Sequence, residues 1–155
     1  MKYLIIRHAQ TDSTRLNRHL DGPDGAPLNE TGERAARALR DELTAAGIEV
    51  QHVKVAISEL VRTRQTAEAA GFVSENMRVD PLLNEVNTPD PAATQRLVEQ
   101  GKLPLEAFAA ARAILDNPPE EPVWVTHGLV IAALRELLGL PGFIPPMASI
   151  CEIEI

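Results

Sequence analysis

Lys2-Tyr3-Leu4-Ile5-Ile6-Arg7-His8-Ala9-Gln10-Thr11-Asp12 decides how this chain folds. Lys2 to Ile6 is a short apolar run with the pattern of a buried strand, and it breaks off at the polar string Arg7 to Asp12. The same junction recurs downstream. Val53 to Ile57 leads into Ser58, and Val123 to Thr126, introduced by Pro122, leads into His127-Gly128. Helical patterns fill the intervals. Gly32 to Ala46 carries Ala35, Leu39, Leu43 and Ala46 at helical spacing, with Thr31 as its N-cap and Gly47 as its stop. A second helix is expected from a Ser58 cap to Ala70, ahead of Gly71; others are expected over Ala92 to Gln100, Leu105 to Leu115 and Leu129 to Leu138. Ile150 to Ile155 alternates with the strand period. Asp12 to Asn29 has no period and reads as a surface loop, and Arg78 to Leu83 reads as a short extended piece. Pro81, Pro89 and Pro91 keep that piece's surroundings out of the centre of a sheet. Strands alternating with helices predict an α/β fold, a three-layer α/β/α sandwich around a mostly parallel sheet.

Composition narrows what such a fold does. With 155 residues, 45% of them hydrophobic, the chain is expected to form a single domain over 1–155. The 22 acidic residues outnumber the 15 basic ones, and a net charge of -7 argues against a general nucleic-acid or anionic-membrane binder. Any anion it holds has to be held locally. No apolar run approaches the roughly 18 residues of a membrane span, and Arg7 comes too early for a signal peptide, so a cytoplasmic location is expected. The single Cys151 excludes an internal disulfide and a cysteine-based zinc cluster.

In an α/β sheet, ligands bind at the carboxyl ends of the strands. His8 and His127 both fall at such ends, and Ser58, with Arg62 a turn further on, falls at another. Arg62, Gln65 and Thr66 share a helix face by their spacing, and Arg62 lies near the helix's positive end. Joined by Arg7, it would form a bidentate clamp for phosphate; the alternative for each Arg is a surface side chain. Paired His also raise the question of a metal, but no HExxH, closely spaced His pair or cysteine partner accompanies them. Ser58, in Ile57-Ser58-Glu59-Leu60, lacks the glycines of a nucleophile elbow, and no Walker-type phosphate loop is present.

Leu4-Ile5-Ile6-Arg7-His8-Ala9-Gln10-Thr11, Leu28-Asn29-Glu30-Thr31-Gly32, Ser58-Glu59-Leu60-Val61-Arg62-Thr63-Arg64-Gln65-Thr66-Ala67, Leu83-Asn84-Glu85 and Val125-Thr126-His127-Gly128 follow one another in the chain. In this order they resemble the histidine phosphatase superfamily, with its phosphoglycerate-mutase-like fold. The resemblance implies a nucleophilic His8 that accepts a phosphoryl group in a phosphate-binding pocket made by Arg7, Arg62, His8 and His127. It also implies Glu85 as the acid that protonates the leaving alcohol and later deprotonates water, with no metal and no cofactor. The sequence departs from the family pattern at Ala9, where glycine is usual, and at Thr14, where asparagine is usual, with Asn17 nearby. It departs again over Asn87-Thr88-Pro89-Asp90-Pro91, the region that usually shapes the substrate mouth. The short chain and altered mouth count against a sugar-phosphate mutase. The expected activity is a phosphatase acting on a small phosphomonoester; the alternatives are a phosphohistidine protein phosphatase and a non-catalytic phosphate-binding regulatory module. Oligomeric state is not legible.

Overall fold

A computed structural model of the chain describes residues 1–12 and 25–155. Five strands, β1 (Lys2–Arg7), β2 (Val55–Ile57), β3 (Met77–Val79), β4 (Val123–Thr126) and β5 (Ile150–Glu154), form one sheet in the order β3-β2-β4-β1-β5. All neighbours run parallel except β5, which pairs antiparallel with β1. Described helices are α1 (Glu30–Ala45), α2 (Val61–Ala70), α3 (Pro91–Glu99), α4 (Leu105–Asp116) and α5 (Gly128–Leu137). Among the described residues no helix is long and apolar enough to cross a membrane.

Because successive strand residues point to opposite faces, the apolar runs supply two cores at once. Ile5, Ala56 and Trp124 pack with Ala107, Ala111 and Ile114 of α4 and Val130, Ile131 and Leu134 of α5. Ile6, Val55, Ile57, Val123 and Val125 pack on the other face with Leu39 and Leu43 of α1 and Ala67 and Ala70 of α2. Ile5 and Ile6 are fully buried, each contributing about 1.5–3 kcal/mol. The expected three-layer sandwich is therefore present.

Local boundaries differ from the sequence reading in instructive places. α1 is capped by Asn29, not Thr31: the Asn29 side chain accepts the Gly32 N–H at 2.8 Å. Thr31 already lies inside the first turn. Ser58 does not cap α2, which starts at Val61 with Leu60 in the cap position and no side-chain cap bond. The second strand is shorter than expected, since only Val55 to Ile57 finds partners on both sides. The extended piece near Arg78 is edge strand β3, and Pro81 begins a single turn of 3-10 helix, Pro81–Leu83. Most of the expected Asp12 to Asn29 loop, including Thr14 and Asn17, lies outside the described residues; Thr11 and Leu28 meet in an isolated antiparallel bridge.

That bridge belongs to a clamp on the segment following His8. Asn29 N–H donates to the Gln10 carbonyl at 3.1 Å, and Asn29 Nδ2 reaches Gln10 Oε1 at 3.3 Å. Gly32 lets α1 lie against this backbone, because an added Cβ would overlap the carbonyl oxygen of Gln10. Gly32→Ala is accordingly expected to destabilise the protein by about 1–3 kcal/mol, the usual range for overpacking, read as a lower urea midpoint. An unchanged midpoint would mean that α1 does not press on Gln10.

Candidate active site

Parallel pairing places Arg7 opposite Thr126, so the next residues, His8 and His127, leave the sheet at the same edge. Their ring centroids are 5.1 Å apart. His8 is buried, and its Nδ1 lies 2.8 Å from the Ala9 carbonyl oxygen. A carbonyl only accepts, so Nδ1 carries the hydrogen and Nε2 keeps the lone pair. Burial, followed by the positive charge of Arg62, pushes His8 down to about 3, with Arg7 adding to the effect and the Ala9 bond opposing it. The ring is therefore neutral near pH 7.

Ala9 keeps its backbone in place despite its methyl group. The Ala9 N–H donates to Thr66 Oγ1 at 3.0 Å, and Thr66 Oγ1 donates to the Arg62 carbonyl at 2.7 Å. The methyl is buried in a small cluster with Leu28 and Ala36. Gln65, from the same face of α2, accepts the Leu28 N–H at 2.8 Å. The helix face expected from spacing thus organises the segment after His8.

Arg62, in the first turn of α2, is buried rather than a surface side chain, and an added Cβ on Gly25 would lie 2.8 Å from its Nη1. Arg7 Nη1 donates to the Pro145 carbonyl at 2.6 Å, and its buried Nε has no hydrogen-bond partner among the described residues. His127 is fully buried; Nε2 lies 3.0 Å from Ser58 Oγ, while Nδ1 is unpaired among the described residues and 3.9 Å from Glu85 Oε2. Burial pushes the His127 ring well below its ordinary range, and His8, Arg62 and Arg7 add to that. Thr126 Oγ1 donates to the Leu83 carbonyl at 2.7 Å, and Asn84 bonds Glu59 through both its amide atoms, so Glu85 directly follows two anchored residues. Glu85 Oε1 accepts the Val86 N–H at 2.8 Å.

All five residues expected from the sequence, Arg7, His8, Arg62, Glu85 and His127, gather at one sheet edge. Sequence reasoning misses their supports. By pattern Ser58 is only a cap or a weak nucleophile, yet it is the partner of His127. The Pro145 to Ala148 segment carries no periodic signal, but it supplies the carbonyl on Arg7, and Ala148 N–H reaches the carbonyls of Arg7 and His8 at 3.1 and 3.2 Å. Ala148 holds this position at a φ of 54°, in the left-handed region that L residues seldom occupy. The unpaired guanidinium N–H of Arg7, buried, carries a desolvation cost that an anion bearing oxygens would relieve.

A family model described as the histidine phosphatase superfamily (branch 1) matches residues 3–108. A protein from Yersinia enterocolitica named probable phosphoglycerate mutase GpmB is 28% identical over 169 residues, covering 91% of this chain and 76% of the relative. Its namesake from Cronobacter sakazakii is 27% identical over 172 residues, covering 92% of this chain and 77% of its own. Among solved structures, a phosphoglycerate mutase from Thermus thermophilus superposes with a TM-score of 0.72 at 28% identity, over 99% of this chain and 93% of that one.

Burying two neutral imidazoles links stability to pH. Below 6.5 the unfolded chain takes up a proton on His8 that the folded protein refuses until about 3, so the stabilisation present near neutrality is lost across that window as pH falls. His8→Asn, whose amide N–H can still reach the Ala9 carbonyl, is expected to lose stability less steeply with acid. The difference should approach about 1.4 kcal/mol per pH unit for the one proton removed, measured by urea unfolding at several pH values. Equal slopes in the two proteins would place a protonated His8 in the folded state.

Proposed function

The chain belongs to the histidine phosphatase superfamily, and from that premise we propose that it is a phosphatase that hydrolyses small phosphomonoesters through a phosphohistidine on His8. The observation that carries this reading is the His8 Nδ1 bond to the Ala9 carbonyl, which leaves Nε2 as a lone pair in a ring held neutral. In the first step Nε2 attacks phosphorus, the ester P–O bond breaks, and Glu85 gives its proton to the departing alkoxide oxygen. The ring becomes cationic as the N–P bond forms, and the Nδ1–H bond to Ala9 strengthens with it. In the second step Glu85 takes a proton from water, the resulting hydroxide attacks phosphorus, and the N–P bond breaks to release phosphate. Arg7 and Arg62 hold the charged phosphoryl oxygens throughout, which is where most of the acceleration of phosphoryl transfer arises.

Hydrolysis is favoured over transfer to a second hydroxyl by the departure at Asn87-Thr88-Pro89-Asp90-Pro91, in the region that usually shapes the family's substrate mouth. The match to the Yersinia relative runs over 169 residues yet takes in 91% of this chain of 155, so that relative carries insertions within the matched region. A mutase has to retain and reorient a twice-phosphorylated intermediate while keeping water away, and the matched region here has less polypeptide than that relative's with which to do so. Glu85 at the pocket favours an ester over a phosphohistidine substrate, because a phosphoramidate leaving group needs less help from an acid. A non-catalytic phosphate-binding role is disfavoured by Ala9, whose methyl is accommodated without loss of either backbone bond.

His8→Ala is expected to abolish release of phosphate from an aryl phosphate while leaving the circular dichroism spectrum intact; undiminished turnover would overturn the assignment. Glu85→Gln should depress kcat/KM, which reports the step that expels the alcohol, strongly for alkyl phosphates, by roughly the 10²–10⁴-fold typical of a lost general acid, and far less for an aryl phosphate with an acidic phenol. Equal losses on both would deny Glu85 its role toward the leaving group.

A further inference from the structure

His127 turns Nδ1 toward Glu85 Oε2, 3.9 Å away, and the nitrogen that carries its proton decides whether the neutral ring would meet an anion there as a donor or as a lone pair. The hydroxyls behind the ring answer this by hydrogen counting. Thr63 Oγ1 lies 2.8 Å from the Leu60 carbonyl oxygen, 3.2 Å from the Ser58 carbonyl oxygen and 2.9 Å from Ser58 Oγ. Carbonyl oxygens cannot donate, so the single Thr63 proton is drawn to a carbonyl. The 2.9 Å contact between the two hydroxyl oxygens then needs its hydrogen from Ser58. With that proton committed to Thr63, Ser58 Oγ offers only lone pairs to the Leu60 N–H, at 3.2 Å, and to His127 Nε2, at 3.0 Å. Both of these bonds are then complete if Nε2 bears the hydrogen. Turning the Ser58 proton toward His127 would instead leave two hydroxyl oxygens in contact without a hydrogen, or take the Thr63 proton away from both carbonyls.

We propose that Ser58 and Thr63 are positioning residues whose hydroxyl relay keeps neutral His127 protonated on Nε2 and unprotonated on Nδ1, so that the pocket takes up a phosphoryl dianion together with one proton. This rests on the reading that the pocket binds phosphoryl groups. The proton enters from solvent onto Nδ1, or arrives as the P–O–H of a monoanion, and in either case completes an Nδ1···H···O bond. Facing His127 are Arg7 and His8 from the end of β1, Arg62 from α2 and Glu85 from the segment after Pro81–Leu83. The guanidiniums oppose protonation of the ring in the ligand-free pocket, and a dianion reverses that field. Thr63 is fully buried and Ser58 nearly so, which removes water as a competing partner for either hydroxyl.

The tautomer is read directly by nitrogen NMR of ¹⁵N-histidine-labelled full-length protein. Free of ligand, His127 is expected to show hydrogen on Nε2 alone; saturated with methylphosphonate, whose dianion carries no P–O–H, Nδ1 is expected to engage a hydrogen as well. Calorimetry in buffers of different ionisation enthalpy should find about one proton taken up per methylphosphonate on the alkaline side of its second ionisation, with affinity falling about tenfold per pH unit there. Thr63→Val frees the Ser58 proton for Nε2, moves the His127 hydrogen to Nδ1, and should bring proton uptake close to zero; Thr63→Ser should behave as the parent. An Nδ1–H tautomer in the free parent protein would overturn the proposal. So would uptake that survives Thr63→Val but disappears in Glu85→Gln, since the proton would then reside on Glu85. Failure of methylphosphonate to bind the parent at all would count against the phosphoryl pocket, whereas the free-state tautomer would still decide the relay.

Discussion

The register of β1 against β4 is the constraint on which the rest depends. Arg7 lies opposite Thr126, and because the strands are parallel, His8 and His127 emerge side by side from a single edge. Nothing polar sets that register. Ile5 and Ile6 point into different cores, as do Val123, Trp124 and Val125, and a slip of one residue would exchange the faces of the whole strand. Burial of apolar side chains several residues upstream therefore fixes the distance between two imidazoles at the site. The backbone adds a further tie at the edge itself, where His8 N–H donates to the Thr126 carbonyl at 3.0 Å.

The same edge collects positive charge in a chain whose net charge is -7. Arg7 is shifted downward by burial and by Arg62, with Glu85 opposing, so the site is costly to maintain in the absence of an anion. That cost has a chemical return. In the proposed reaction, guanidiniums that repel a proton from His8 also attract phosphoryl oxygens, so one field both keeps the ring unprotonated and binds the group it would attack. The C-terminal segment shares in this arrangement. Pro145 stabilises the Arg7 guanidinium from outside the sheet, and Gly128 gives it room, since an added Cβ there would lie 3.0 Å from Arg7 Nε.

The fold and the principal side chains were legible because both follow from chain order. Apolar runs of strand length, each ending in a polar residue, place His8, Ser58 and His127 at strand ends whatever the details of packing. Arg62, Gln65 and Thr66 follow from helical spacing. What failed to show was anything that depends on which backbone comes near. Thr31 and Asn29 are both good capping residues, and the choice falls to Asn29 because Gln10 approaches it. Ser58 resembles a helix cap by position, but α2 begins later and its hydroxyl turns to His127. Pro145 and Ala148 act through backbone atoms, which leave no trace in side-chain pattern.

The two imidazoles are oriented by different means, and the difference matters for how each can change. His8 gives its Nδ1 hydrogen to a backbone carbonyl, which is an obligatory acceptor at any pH and for any side chain at position 9. Its tautomer is thus a property of the main chain, insulated from the replacement of the family's usual glycine by Ala9. His127 is held through a serine hydroxyl, which can donate as readily as it accepts, and its direction is imposed only by Thr63 beyond it. On the proposed reading, the chemistry of His8 is therefore fixed by the backbone, while the proton content of the site around its partner is set by side chains. Under that proposal, substitutions behind His127 would alter the ionic form of phosphoryl ligand accepted at the site without touching the His8 nitrogen that would attack it.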